Sequence, residues 1–219
     1  MDIAANIKKY KEELPENVKL VAISKTKPNE DLLEAYNAGQ RIFGENKIQE
    51  MTEKWEQLPK DIEWHMVGHV QRNKVKYMAP YIGLIHAVDS LKLLKEINKQ
   101  AKKVDRKINC LLQIKIAEED SKFGISAEEA EEILNSEAYS KMQNTEVIGL
   151  MGMATFTDDE NQVKTEFMKL KSIFKDFKEK HPSLKELSLG MSDDYKIALE
   201  CGTTMVRIGS NIFGERNYN

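Results

Sequence analysis

Residues 18–28 read VKLVAISKTKP. The first seven form a short, mostly apolar run of the kind a buried strand requires, yet the run ends on Lys25 and Lys27 rather than on Gly, Asn or Asp. Strand period two places Val21, Ile23 and Lys25 on one face and Leu20, Ala22 and Ser24 on the other. A lysine at the end of an inward-facing row stands above an apolar floor.

Seven further β-rich runs follow: RIFG (41–44), EWHMVG (63–68), GLIHAVD (83–89), INCLLQIKI (108–116), VIGLMGM (147–153), ELSLGM (186–191) and TMVRIG (204–209). Most are continuous rather than alternating, as expected of parallel strands covered on both faces. Helical stripes lie between them, among them Leu91, Leu94, Ile97, Ala101 and Val104, and then Val163, Phe167, Leu170, Phe174 and Phe177. Punctuation agrees: Ser126 with Glu129 spells a capping box, Asn29 follows Pro28 before an acidic first turn, and Gly39 and Gly202 fall where helix C-terminal glycines belong. After one extra helix at 3–14, strand and helix alternate from about residue 18 to the end. The pattern predicts an α/β chain folded as a single (β/α)8 TIM barrel with an extra N-terminal helix, one domain over residues 1–219, with a doubly wound open sheet as the alternative.

Composition narrows the function. The 33 basic and 36 acidic residues are interleaved and leave a net charge of -3, with no basic stripe to track a phosphate backbone, so nucleic acid is not an expected partner. The N-terminus lacks a secretory apolar core, and no stretch approaches the ~18 consecutive apolar residues of a membrane span, so the expectation is a cytoplasmic protein without a membrane partner. Cys110 and Cys201 each sit inside an apolar pattern and read as core residues. His65 and His69 have i, i+4 spacing, but Gly68 interrupts them and no HExxH surrounds them, so no metal is expected.

Barrels carry their chemistry at the C-terminal strand ends. The polar residues there are Lys25, Lys27, Glu45, Asn46, Gln71, Asp89, Ser121, Lys122, Thr155, Ser192, Asp193, Arg207 and Ser210, with Gly68, Met153 and Gly209 among them, and all are expected at one mouth. At Lys25, desolvation and the like charge of Lys27 would favour a neutral, nucleophilic amine, the requirement for a Schiff-base lysine; the plainer reading is a pair of solvated strand ends. LGMSDD (189–194) and RIGSNIFG (207–214) each place glycine and a small hydroxyl residue directly after a strand, where N–H groups with Ser192, Gly209 and Ser210 can hold a phosphate dianion. A plain N-cap is the other reading of Ser192. Arg207 shares strand parity with Met205 and reads as inward-facing, paired with a carboxylate or donating to a ligand nitrogen, the ion pair being the slightly favoured reading.

VAISKTKP, FGENKIQE, WHMVGHVQRNK, HAVDS, SKFGI, GLMGMA, LSLGMSDD and TTMVRIGSNIFGER together resemble the signature segments of the YggS/PROSC family, the pyridoxal 5′-phosphate homeostasis proteins, over nearly the whole chain. The resemblance implies a barrel like the alanine racemase N-terminal domain, with pyridoxal 5′-phosphate (PLP) at the mouth as an internal aldimine on Lys25. It further implies phosphate contacts at Ser192, Gly209 and Ser210, Arg207 at the pyridine nitrogen, Asn46 beside the ring, and Lys27 as a second lysine near the cofactor. Val70 and His69 depart slightly from the family pattern, away from those groups.

What the resemblance implies functionally is a carrier or regulator of intracellular PLP (vitamin B6) without expected turnover, with PLP-dependent enzymes as recipients; a monomeric state is the expectation where the racemase β domain and its dimer interface are missing. A PLP-dependent amino-acid racemase is the alternative, and a Schiff-base aldolase a weaker one that gives no reason for Arg207. In the alanine racemases the second base comes from the partner's additional β domain; this chain ends at Asn219, leaving no length for such a domain, and neither Tyr195 nor Tyr218 can be assigned that role from sequence.

Overall fold

The structure is a computed structural model and describes residues 2–119 and 123–215. Eight parallel strands close into a barrel in chain order: β1 (Lys19–Ile23), β2 (Ile42–Glu45), β3 (Glu63–Met66), β4 (Ile82–Val88), β5 (Ile108–Gln113), β6 (Thr145–Met151), β7 (Glu186–Ser188) and β8 (Met205–Ile208). Closure is made by β8 pairing with β1, where Leu20 faces Val206 and Val21 faces Arg207. The expected barrel is therefore the one formed, and the open sheet is not.

The strand side chains divide into two sets. Leu20, Ala22, Phe43, Trp64, Met66, Ile82 and Ile85 join the large core between strands and helices, whereas Leu84, Leu111, Met151 and Met205 belong to a separate, smaller cluster inside the barrel. β1 follows the predicted period: a Cβ built on Gly44 would strike Ile23 and Val21, the inward row that leads up to Lys25.

The helices are α1 (Ile3–Glu13), α2 (Asn29–Asn37), α3 (Ile48–Gln57), α4 (Val75–Met78), α5 (Leu91–Lys103), α6 (Ala127–Asn135), α7 (Glu137–Ser140), α8 (Glu160–Lys180), α9 (Tyr195–Glu200) and α10 (Ser210–Phe213). Val163, Phe167, Leu170, Phe174 and Phe177 are all buried along α8, as the spacing predicts. The α5 stripe departs at one end: Val104 is the C-cap residue and 37% exposed, because the helix stops before its face returns to the core. The Ser126–Glu129 capping box is formed, and Gly39 and Gly202 close α2 and α9 with positive φ.

β5 and β7 each stop three residues short of the ends of their apolar runs. β5 ends at Gln113, with Ile114 continuing only as a bridge to Ile125, and β7 ends at Ser188. Beyond β7 the chain must swing into α9 through Gly190, whose φ of +90° is left-handed and whose added Cβ would lie 2.7 Å from the Ala198 Cβ. Only glycine meets both demands. The extra helix α1 props the last helix, α10, because Asn6 Nδ2 donates to the Ile212 carbonyl at 3.2 Å.

Both cysteines are buried, and burial pushes the Cys110 thiol up to about 12. Among the described residues no helix is long and apolar enough to cross a membrane.

Candidate functional site

A cavity of about 300 Å³ opens at the C-terminal end of the barrel. Lys25, Lys27, Asn46, Ser192, Arg207, Gly209 and Ser210 all line it, from the ends of four strands, β1, β2, β7 and β8. Met153, Met191, Phe156, Val67 and Ile23 add its apolar wall, and among the described residues of the lining Asp193 is the single carboxylate against three cations. That balance favours an anionic ligand.

Lys25 is half-buried and enters the cavity from a turn that is strained and clamped. The next residue, Thr26, has φ 64°, a left-handed conformation that a β-branched side chain resists. Its N–H donates to Glu50 Oε1 at 2.6 Å, and the Lys27 N–H donates to the Ser24 carbonyl at 3.1 Å. Behind the turn, Lys54 Nζ donates to the Ser24 carbonyl, Glu45 Oε1 and Glu50 Oε1, each at 2.7 Å, and Ser24 Oγ donates to Glu45 Oε1 at 2.6 Å. The turn that carries Lys25 is thus fixed from outside the barrel.

Lys27 is tied down differently. Its ammonium donates to the carbonyls of Phe213 (2.8 Å) and Glu215 (3.0 Å), drawing the C-terminal segment over the same side of the cavity.

Ser192 and Gly209 join the two glycine-containing loops. The Gly209 N–H donates to Ser192 Oγ at 3.2 Å, and Asn211 Nδ2 donates to the Ser192 carbonyl at 3.0 Å. Ser192 is therefore not a helix cap; Asp194 occupies that position for α9. The N–H groups of Ser210 and Asn211 belong to the first turn of α10, which an intrahelical bond does not satisfy.

Arg207 is nearly buried, and the expected ion pair is not formed: among the described residues no carboxylate lies in salt-bridge range of its guanidinium. Nη1 donates to the Ser188 carbonyl (2.9 Å) and Ser188 Oγ (2.6 Å), and Nη2 to the Gly152 carbonyl (3.0 Å). Neutral oxygens replace the carboxylate. Desolvation lowers its pKa to about 10, offset in part by Asp194, so it remains a cation at neutral pH. Three of its five N–H groups are used, which leaves two on a side chain that lines the cavity.

Other strand-end residues lie elsewhere. Glu45 points outward into the Lys54 pair, Thr155 is bonded through its N–H and hydroxyl to Glu166, and Asp89 pairs with His69 at 3.4 Å. After β2, parity and not strand-end position alone decides which side chain reaches the mouth: Asn46 lines it and Glu45 does not. Gly68 and Gln71 do not line the cavity. Ser121, Lys122 and Tyr218 lie outside the described residues. His65 lies on β3 and His69 beyond its end rather than together on a helix, and the described residues contain no metal-ligating cluster.

The barrel and its lysine-bearing mouth define a class, and the comparisons agree with it: a family model described as alanine racemase, N-terminal domain, matches residues 1–217. The alanine racemase of Enterococcus faecalis superposes with TM-score 0.72 at 17% identity, covering 99% of this chain and 58% of the racemase, a likeness of fold alone. Nearer relatives are more specific. A pyridoxal phosphate homeostasis protein of Pasteurella multocida is 39% identical over 207 residues, 92% of this chain and 88% of the relative. PipY of Synechococcus elongatus, solved with PLP bound, superposes with TM-score 0.88 at 31% identity, covering 97% of this chain and all of that one. The chain belongs to the pyridoxal phosphate homeostasis protein family.

Proposed function

We propose that this protein binds PLP in the barrel mouth as a Schiff base on Lys25 and serves intracellular PLP homeostasis as a carrier or regulator rather than as an enzyme. The observation that carries the proposal is the convergence of Lys25, Arg207 and the Ser192–Gly209 junction on one cation-rich cavity. Lys25 supplies the amine. Ser192, Gly209 and Ser210 take the phosphate end, and Lys27 braces the segment beside it. Asn46 lies at the ring's flank, and Arg207 directs a remaining N–H at the ring nitrogen.

When bound, PLP supplies an electrophilic aldehyde and an electron-withdrawing ring. Arg207 limits the second property, because a guanidinium only donates and leaves the ring nitrogen unprotonated. A racemase needs an acid/base group on each face of its substrate. Tyr195 does not offer one: its hydroxyl donates to Glu13 Oε1 at 2.8 Å and its ring packs edge-on against Tyr10, beside α1.

Borohydride reduction of protein loaded with PLP, followed by peptide mapping, tests the ligand and the lysine together. The adduct is expected on Lys25 and absent from Lys25→Ala; full trapping in that variant contradicts the assignment. Chiral analysis after incubation with L-alanine tests the carrier reading, and D-isomer formed above the free-cofactor background overturns it.

A further inference from the structure

A column of polar side chains crosses the barrel lumen from its floor to Arg207. Glu63, the first residue of β3, accepts from or donates to His65 Nε2 across 2.9 Å; His65 Nδ1 meets His86 Nε2 at 3.0 Å; His86 Nδ1 meets Ser188 Oγ at 3.0 Å; and Ser188 Oγ accepts from Arg207 at 2.6 Å. His65, His86 and Ser188 are at most 1% exposed, whereas the Glu63 side chain is 54% exposed at the opposite end of the barrel from the cavity.

The two ends determine every proton between them. Arg207 is an obligate donor, so the Ser188 oxygen accepts there and its hydroxyl is free to donate to His86 Nδ1. A neutral His86 then carries its proton on Nε2 and donates to His65 Nδ1. His65 in turn carries its proton on Nε2 and donates to the Glu63 carboxylate, an obligate acceptor when ionised. The reverse order with neutral rings sets a bare His65 nitrogen against a carboxylate oxygen at 2.9 Å, which is repulsive. Burial drives the His86 pKa well below 6.5, and the hydrogen bond with His65 lowers that of Glu63, in accord with a neutral ring above a charged end.

We propose that Glu63, His65, His86 and Ser188 are positioning residues for Arg207, forming a one-directional hydrogen-bond column whose terminal acceptor, the floor carboxylate, fixes how the guanidinium is held beneath the ligand's ring. Its consequence at the ring end rests on the PLP reading; the column itself does not. The charged groups around it are Lys19 on β1 and Glu186 on β7, which pair with each other, the Lys107–Glu146 pair at the start of β5 and β6, and Asp194 near Arg207. Inside the barrel, β4 and β5 contribute apolar Leu84 and Leu111.

The test uses ligand-free, 15N-labelled protein near pH ~8, above the ordinary imidazole range. The chain has four histidines, so imidazole correlation spectra assign readily by substitution. Both His65 and His86 are expected as Nε2–H tautomers, and Ser188→Ala is expected to release His86 from that single state. Glu63→Ala is expected to release His65 from its single tautomer, the lost Glu63–His65 hydrogen bond being worth about fivefold in the tautomer ratio, and to speed exchange of the Arg207 guanidinium protons; Glu63→Gln, which keeps an acceptor oxygen, restores both. An Nδ1–H tautomer at His86 in the unmodified protein, or Glu63→Ala with unchanged tautomer and exchange, overturns the proposal. Borohydride trapping on the same samples reads PLP binding separately, so failure of one reading is distinguishable from failure of the other.

Discussion

Lys54 and Glu45 form an ion pair with an N···O distance of 2.7 Å between α3 and β2, with 7% and 0% of their side chains exposed. The same ammonium holds the Ser24 carbonyl and Glu50, which holds the Thr26 N–H, so the pair underlies the turn that carries Lys25. Glu45 Oε2 is buried without a hydrogen-bond partner. The carboxylate therefore depends on Lys54 for its compensation.

Lys54→Met keeps most of the side-chain volume and removes the compensating charge. Breaking a buried pair from one side costs about 3 kcal/mol or more, whereas replacing both partners by apolar residues is far milder. Urea unfolding is expected to show a lowered midpoint at unchanged slope for Lys54→Met and substantial recovery for Lys54→Met combined with Glu45→Leu. A single variant as stable as the parent would show that the pair does not hold the turn.

The same carboxyl gives a signed pH dependence. Burial is the largest influence on Glu45 and raises its pKa above the ordinary 4.5, against the pull of Lys54 and Ser24. The folded state thus holds this proton more tightly than the unfolded chain. Its contribution to stability is complete below 4.5 and is lost as pH rises through the folded value. Glu63 has the opposite sign, its lowered pKa giving stability that disappears as pH falls. Subtracting the profile of Glu45→Gln from that of the parent isolates the first effect, and the parent's relative stability should decline from pH ~4.5 upward.

At the proposed phosphate end, Ser192→Ala deprives the Gly209 N–H of its acceptor and removes a hydroxyl from the cavity wall. The loss of one such hydrogen bond weakens affinity about tenfold. The weakening should fall on PLP and spare pyridoxal, which has the aldehyde and ring but no phosphate. Spectral titration with both aldehydes checks this, and equal weakening of the two would move the phosphate away from Ser192.

The strands were legible because most are continuous apolar runs, and residues such as Val21 and Ile23 announce an inward row by parity alone. Lys25, Arg207, Ser192 and Gly209 were legible because barrel geometry gathers strand ends at one mouth. Glu45 misled for the same reason: it ends β2, but parity turns it outward toward α3. The lumen column was invisible in sequence, since His65, His86 and Ser188 are separated by 21 and 102 positions and meet only when β3, β4 and β7 close around one axis. The engagement of Lys27 with the Phe213 and Glu215 carbonyls likewise depends on where the last turn folds back.

Thr26 offers a test in which stability and function should part. A β-branched residue at φ 64° stores about 1–3 kcal/mol of backbone strain. Thr26→Gly releases that strain and keeps the N–H that donates to Glu50, while the freer unfolded chain returns about 0.5–1 kcal/mol of the gain. The variant should therefore melt up to a few degrees higher, about 2–4 °C for each net kcal/mol in a chain of this size. The same freedom loosens the turn that aims Lys25 at the cavity, so borohydride trapping of PLP should become slower in the more stable protein. If trapping keeps its rate while the melting temperature rises, the strain at Thr26 has no part in presenting the amine.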